Sequence, residues 1–132
     1  MSPRKQIPNP TAAELNILRV LWSLNEATVR QVVNVLNQTD EVGYTTALKL
    51  MQIMSEKGLV IRDESQRSHV YRAAIPEEEM QHQLLNDLLT RAFGGSAQKL
   101  VMRALSEHVA SPKELAEIRK QLDALEHRKK KS

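Results

Sequence analysis

The stretch GYTTALKLMQIMSEKGLV, residues 43–60, predicts a helix that lies between two turns. Successive side chains lie about 100° apart around a helix axis, so four apolar residues fall on one face and four polar residues on the other. These faces are Ala47, Leu50, Met51 and Met54, against Thr45, Lys49, Gln52 and Glu56. Leu48 and Ile53 lie at the edges of the polar face. Because Gly58 is typical of a helix end, we expect the helix to span about 45–57.

Two further helices are predicted before this stretch. The segment TAAE, residues 11–14, has the capping-box pattern and predicts a helix over about 12–24. Thr28 is the next candidate cap, and four apolar residues then repeat at the spacing of one helix face, which predicts a helix over about 29–38. Residues 1–10 contain three prolines without periodicity and are predicted to form a flexible arm.

The pattern changes to that of β-strands after residue 58. Residues 59–62 and 69–73 predict two short strands, and the polar residues 63–68 predict the hairpin tip between them. Three helices followed by a β-hairpin are typical of a winged helix-turn-helix domain. We therefore predict a mainly α protein with a small β-wing, whose winged-helix domain occupies residues 1–75.

Residues 76–132 predict a second, helical region with helices over about 76–92, 97–110 and 112–128. Apolar residues of the last helix are spaced 3, 4 and 3 positions apart, as in a short coiled-coil seam. The seam consists of Leu115, Ile118, Leu122 and Leu125. Three helices alone make a thin core, so we expect a homodimer in which Leu88, Leu89 and Leu105 also participate. The alternative is that the seam packs on the other two helices of the same chain.

Composition limits the possible functions. The chain has 132 residues, no cysteine and a formal net charge of +3, and its apolar runs are too short to cross a membrane. The absence of cysteine excludes disulfides and fits a cytoplasmic location. Basic residues exceed acidic ones by nine to seven in residues 1–75 and by four to none in 127–132, whereas residues 76–126 are acidic. This distribution permits nucleic-acid binding but does not require it.

Patterns typical of enzymes and of metal sites are missing from the sequence. There is no glycine-rich phosphate loop, no nucleophile motif and no pair of carboxylates placed for acid–base catalysis, so we predict neither an enzyme nor a cofactor. The three acids at 77–79 are explained by the positive end of a helix dipole. The four histidines do not have ligand spacing and are predicted to be surface residues: His69, His82, His108 and His127.

The third helix is the candidate for binding double-stranded DNA. A helix that follows a short helix and a tight turn, and precedes a wing, is placed to enter the major groove. Hydroxyl, amide and ammonium groups suit phosphates and base edges, and an apolar edge residue suits a thymine methyl. Wing residues suit the phosphate backbone. The candidate contacts are Tyr44, Thr45, Thr46, Leu48, Lys49, Gln52, Ile53, Arg67, Ser68 and His69. The alternative is a solvated outer face and a solvated loop.

The chain resembles the penicillinase repressor family, which includes the β-lactamase and methicillin-resistance repressors and has copper-responsive relatives. The resemblance runs from Pro10 to about Leu125, and its most specific parts are residues 43–60, the Leu-Trp pair at 21–22 and the Phe-Gly-Gly at 93–95. It implies a dimer that binds a palindromic operator and represses transcription. It also implies release by an inducing signal, and a regulatory protease is one candidate for that signal.

Three departures from this family affect what the resemblance implies. Some members carry Arg at the positions of Leu48 and Ile53, so we expect a different operator sequence here. Antibiotic-responsive members are cleaved at an Asn-Phe bond, and the matching pair in this chain is Arg103-Ala104. Cleavage would therefore need a protease of other specificity. The cysteine-rich metal site of the copper-responsive members is excluded. A function of a different class, a winged helix that docks proteins without an operator, stays open.

Overall fold

The computed structural model describes residues 7–107 and 110–131 of the chain. Six helices and three strands occur within these residues. In chain order they are α1 (Ala12–Leu24), β1 (Ala27–Thr28), α2 (Val29–Leu36), α3 (Tyr44–Lys57), β2 (Val60–Asp63), β3 (Val70–Ala73), α4 (Glu77–Arg91), α5 (Ala97–Glu107) and α6 (Pro112–Lys131). The predicted fold class, mainly α with a small β-wing on a helix-turn-helix domain, is confirmed.

The sheet contains a strand that the sequence analysis did not predict. Its order is β1-β3-β2, and both pairings are antiparallel. β1 has only two residues and pairs Ala27 with Tyr71 and Thr28 with Val70. A two-residue strand is too short to show an alternating pattern. Thr28 also caps α2, so its position in the sequence indicated the start of a helix and not a strand.

Helix boundaries differ slightly from those predicted. α2 ends at Leu36 instead of 38, because the N–H groups of Gln38 and Thr39 donate to carbonyls three residues back, each at 3.2 Å. α6 continues to Lys131 instead of 128, and basic side chains are favoured at the negative end of a helix. The predicted end of α5 falls on residues 108–110, of which 108 and 109 lie outside the described residues, as does the predicted surface residue His108.

One hydrophobic core holds the N-terminal elements together. It is built from α1, α2, α3, the sheet and the start of α4, where Met80 is buried. Helix α3 contributes Ala47, Met51 and Met54, all at 0% exposure, while Leu50 is half-buried against this core. The Trp22 indole N–H donates to the Ile75 carbonyl at 2.9 Å, which ties α1 to the segment that follows the sheet.

Gly58 ends α3 because the chain must turn there with a positive φ of 83°, which is unfavourable for other residues. The Leu59 N–H donates to the Met54 carbonyl at 2.9 Å across this turn. The cap directs the chain from α3 straight into β2, so α3 and the wing are joined by two residues.

The chain divides into two compact units between Asn86 and Asp87, within α4. The first unit contains the core described above. In the second unit, no side chain of α5 or of the described part of α6 is buried. Several of its apolar residues are more than two-fifths exposed, among them Leu88, Val101, Met102, Leu122 and Leu125.

A buried carboxylate links the beginning of α1 to the end of α3. Glu14 is 1% exposed; its Oε1 accepts the Thr11 N–H at 2.8 Å, and its Oε2 lies 2.9 Å from Lys57 Nζ. Burial alone would raise the pKa of Glu14, but the Thr11 hydrogen bonds and the Lys57 ammonium outweigh it and lower the pKa. The charged form is therefore the one that the folded protein stabilises.

We expect Glu14→Gln to lower the free energy of unfolding by about 1 kcal/mol near neutral pH, because the amide keeps an acceptor for Thr11 but loses the charge. A lowered carboxyl pKa gives stability that is present above the unfolded pKa and lost as the pH falls through the folded pKa. The difference from wild type, measured by urea unfolding, should vanish in acid. If the free energies of unfolding of wild type and Glu14→Gln differ by the same amount near neutral pH and in acid, this explanation is wrong. Glu26→Gln, at an exposed glutamate, is the control.

A side-chain hydrogen bond closes the turn between α2 and α3. Asn37 caps the end of α2, and its Oδ1 accepts the Val42 N–H at 2.7 Å. This hydrogen bond spans five residues and brings the chain back to the point where α3 begins. It therefore helps to set the angle between the two helices.

We predict that Asn37→Ala lowers the free energy of unfolding by about 1 kcal/mol, since the Val42 N–H loses its partner. Asn37→Asp keeps an oxygen at this position and should retain most of the stability. The two variants are compared by urea unfolding of the full chain. Equal losses in both would exclude the hydrogen bond as the cause.

Candidate nucleic-acid interface

The outward face of α3 carries the polar residues that the sequence singled out. Thr45, Lys49 and Gln52 are exposed along one side of the helix, opposite the buried Ala47, Met51 and Met54. Thr46 is also exposed, near the first turn. The buried face fixes the rotation of the helix, so its donors and acceptors point away from the core together.

The two apolar edge residues of α3 are half-buried. Leu48 packs against the hydrophobic core, and Ile53 is partly exposed beside the polar stripe. Part of each side chain is therefore available for a contact. Neither residue is needed for the exposed stripe to exist, because Thr45, Lys49 and Gln52 form it without them.

A groove of about 270 Å³ lies between α2, the beginning of α3 and the wing. It brings together five of the predicted contact residues, Tyr44, Leu48, Arg67, Ser68 and His69. The remaining walls come from Thr28, Val29, Arg30 and Tyr71. Residues that are far apart in the sequence thus form one concave surface beside the exposed stripe of α3.

Arg30 is a groove residue that the sequence analysis missed. Its guanidinium carbon lies 4.6 Å from the centre of the Tyr44 ring, within the range of a cation–π interaction. Arg30 is exposed in the first turn of α2, and Tyr44 is 40% exposed at the first position of α3. An exposed arginine in the helix before a recognition helix was the signal that could have identified it.

Tyr71 forms the floor of the groove. It is 1% exposed, and its buried hydroxyl makes no hydrogen bond with good geometry to any described residue. The hydroxyl lies beside the Arg62 guanidinium, which pairs with Glu64, and proximity to Tyr71 is the main reason that the Arg62 pKa is raised. Arg62 therefore remains charged on the wing.

Local contacts hold the wing in shape. The Asp63 carboxylate accepts the Ser65 N–H at 2.9 Å, and hydrogen bonds from the Ser65 side chain and backbone lower the Asp63 pKa. The carboxylate thus fixes the start of the hairpin tip. Arg67, Ser68 and His69 follow on the far side of the tip and are all exposed.

The described residues offer binding groups but no group of metal ligands. Among residues 7–107 and 110–131, no three His, Cys, Asp or Glu side chains come together in a way that could hold a metal ion. His82 instead contacts Asn86 at 3.0 Å. No helix in the described part of the chain combines the length and the apolar character needed to cross a bilayer.

The residues predicted to form a dimer are not buried within one chain. Leu88, Leu122 and Leu125 are about half exposed, and Leu89, Leu105, Leu115 and Ile118 are partly exposed. The seam on α6 is therefore an apolar stripe that the described residues of its own chain do not bury.

Comparison with known proteins gives matches along most of the chain. The family profile described as penicillinase repressor matches residues 10–124. The penicillinase repressor of Bacillus licheniformis is 25% identical over 126 residues, which cover 96% of this chain and 98% of that protein. The transcriptional regulator BlaI of Mycobacterium tuberculosis is 29% identical over 99 residues, covering 74% of this chain and 72% of its own length.

A solved structure matches just over half of the chain. The solution structure of the DNA-binding domain of the repressor BlaI has a TM-score of 0.50 and 25% sequence identity to this chain. The match covers 57% of this chain and 92% of that domain.

Proposed function

The chain belongs to the penicillinase repressor family, and we propose that it is a dimeric transcriptional repressor that binds a palindromic DNA operator. The observation that carries this proposal is the polar stripe of α3, exposed opposite a fully buried face and adjacent to a wing. The similarity to the DNA-binding domain of BlaI supports the same assignment for residues in the N-terminal unit. Operator binding would place the protein in the compartment that holds the DNA.

In this proposal, α3 lies in the major groove and the wing lies along the backbone. Lys49 and Gln52 project from the middle of the stripe, where their donors and acceptors reach base edges. Thr45 and Thr46 contact phosphates or bases near the helix start. Leu48 and Ile53, partly exposed at the edges, offer apolar contact to thymine methyl groups. Contacts to phosphates position the protein on the duplex, and contacts to base edges and methyl groups recognise the sequence.

The charges along α3 determine which part of the helix can approach the DNA phosphates. Glu56 is exposed at the C-terminal end of the same face, and its carboxylate repels phosphates. The N-terminal part of α3 is therefore the part that enters the groove most deeply. The net charge of +3 gives only modest sequence-independent attraction, so recognition depends on the specific contacts of the stripe.

The homodimer is proposed on the exposed apolar residues of α4, α5 and α6. A compact unit whose described α5 and α6 side chains are all at least partly exposed leaves a large apolar area in water. A second copy supplies the same surface, so that the seam residues Leu115, Ile118, Leu122 and Leu125 can be buried against equivalent residues. Two winged helices held in this way read two half-sites, and their binding free energies combine.

In this proposal an inducing signal releases the protein from the operator, and one candidate signal is proteolysis within α5. Arg103 and Ala104 are exposed but lie within α5, and Arg103 pairs with Glu107 at 3.3 Å. A protease needs an extended substrate, so cleavage at this bond requires local opening of α5. A regulatory protease would therefore act on an opened form of the C-terminal unit.

We predict that Lys49→Ala lowers affinity for a duplex enriched from a random pool by the full chain. The expected loss is about 1–3 kcal/mol for a base contact, with a smaller loss on a scrambled duplex. Fluorescence anisotropy at a fixed salt concentration measures both. Lys113→Ala, at an exposed lysine on α6, is the matched control. If the full chain enriches no sequence, the alternative of a protein-docking winged helix gains support and the operator proposal fails.

We predict that Ile118→Asp converts the dimer to monomers, because a carboxylate in the middle of the seam cannot be buried without a partner. Sedimentation velocity measures the state, and operator affinity should fall with it. Ala124→Asp adds the same charge at an exposed position of α6 outside the seam and should stay dimeric. A dimeric Ile118→Asp variant with normal operator binding would rule out the seam as the interface.

A further inference from the structure

The groove between α2, α3 and the wing has the features of a receptor for a single phosphate group. We propose that it holds one backbone phosphate of the bound duplex in each half-site, with Arg30 as the principal contact. This inference rests on the proposed function, because it specifies where the DNA backbone would be gripped. It adds to the wing and to α3 a contact from α2 that neither the sequence pattern nor the family resemblance indicated.

Two arginines give the walls of the groove a positive charge. Arg30 comes from α2, and Arg67 comes from the wing on the other side. Ser68 and His69 add further polar groups beside Arg67. Within the described part of the chain, no acidic side chain lines the groove, and neither arginine pairs with a described carboxylate. A concave surface with two arginines and no acid favours an anion.

The Tyr44 ring restricts the orientation of Arg30. The Tyr44 ring lies 4.6 Å from its guanidinium carbon and holds it at the rim of the groove. An arginine held in place by a ring loses less side-chain freedom when it binds, and its planar fork matches two phosphate oxygens. Tyr44 thereby acts as a positioning residue for Arg30, in addition to any contact of its own.

The position of α2 before α3 also favours a contact with the phosphate backbone. When a recognition helix lies in the major groove, the helix before it crosses the phosphate backbone. Thr28 caps α2 at the groove, and the N–H groups of Val29 and Arg30 in the first turn have no carbonyl partner within the helix. These N–H groups and the helix dipole add to the attraction for a phosphate. The Thr28 side chain itself is used by the cap, where it accepts the Gln31 N–H.

The test compares Arg30→Gln with wild type on the enriched duplex and on a scrambled duplex over a range of salt concentrations. Loss of one phosphate contact should weaken binding to both duplexes by a similar factor and reduce the slope of log K against log salt by about 0.9 per bound chain. Arg19→Gln removes the same charge from an exposed site on α1 and should change neither quantity. The thermal unfolding midpoint of Arg30→Gln should lie close to that of wild type, because the variant loses only one surface contact.

Neutral methylphosphonate substitutions, made one at a time along the enriched duplex, then locate the contact. At one position in each half-site, the methylphosphonate should weaken binding of wild type. The same substitution should not weaken binding of Arg30→Gln any further, because that variant already lacks the contact. If the slope of Arg30→Gln equals that of Arg19→Gln, or if its methylphosphonate losses equal those of wild type, the assignment is wrong. A change in the preferred sequence in place of a uniform loss would assign Arg30 to base recognition and would also overturn it.

Inorganic phosphate separates a DNA phosphate from a free one. At matched ionic strength the backbone assignment predicts no saturable binding of inorganic phosphate to the free protein. Saturable binding that Arg30→Gln abolishes would assign the groove to a free phosphate and contradict the proposal. Failure of the operator proposal is distinguishable, because in that case wild type enriches no sequence. The comparison of salt slopes on the scrambled duplex still tests the groove.

Discussion

Burial of one face of α3 is the constraint on which the candidate interface depends. Ala47, Met51 and Met54 are all fully buried, and burying a methionine side chain contributes about 1.5–3 kcal/mol. Rotating the helix would expose these side chains, so Thr45, Lys49 and Gln52 are fixed on the outside. The two ends of the helix are also held, by the Asn37 turn before it and by the Lys57 ion pair with Glu14 and the Gly58 cap after it.

The two compact units differ in how far a single chain buries their apolar side chains. The N-terminal unit buries a core of its own, with Leu18, Leu21 and Met51 at 0% exposure. The C-terminal unit leaves every described side chain of α5 and α6 at least partly exposed. The first unit therefore folds around a core of its own, and the proposed dimer follows from the exposed apolar side chains of the second unit.

Periodic and capping patterns predicted most of the fold because they are local. The capping box at Thr11, the cap at Thr28 and the period of α3 predicted helices to within a few residues. Contacts between distant residues had no such pattern. The two-residue β1, the pair of Glu14 with Lys57 and the stacking of Arg30 on Tyr44 depend on tertiary packing. The groove was missed for the same reason, although its wing residues were predicted.

The central claim is that two copies of this chain read a palindrome with one winged helix on each half-site. A hydroxyl-radical footprint of the full chain on its enriched duplex tests this most directly. The account predicts two symmetric sets of protected backbone positions, whose centres lie about one helical turn, or a multiple of it, apart. A single unpaired set of protections, or protection spread evenly along the duplex, would contradict it.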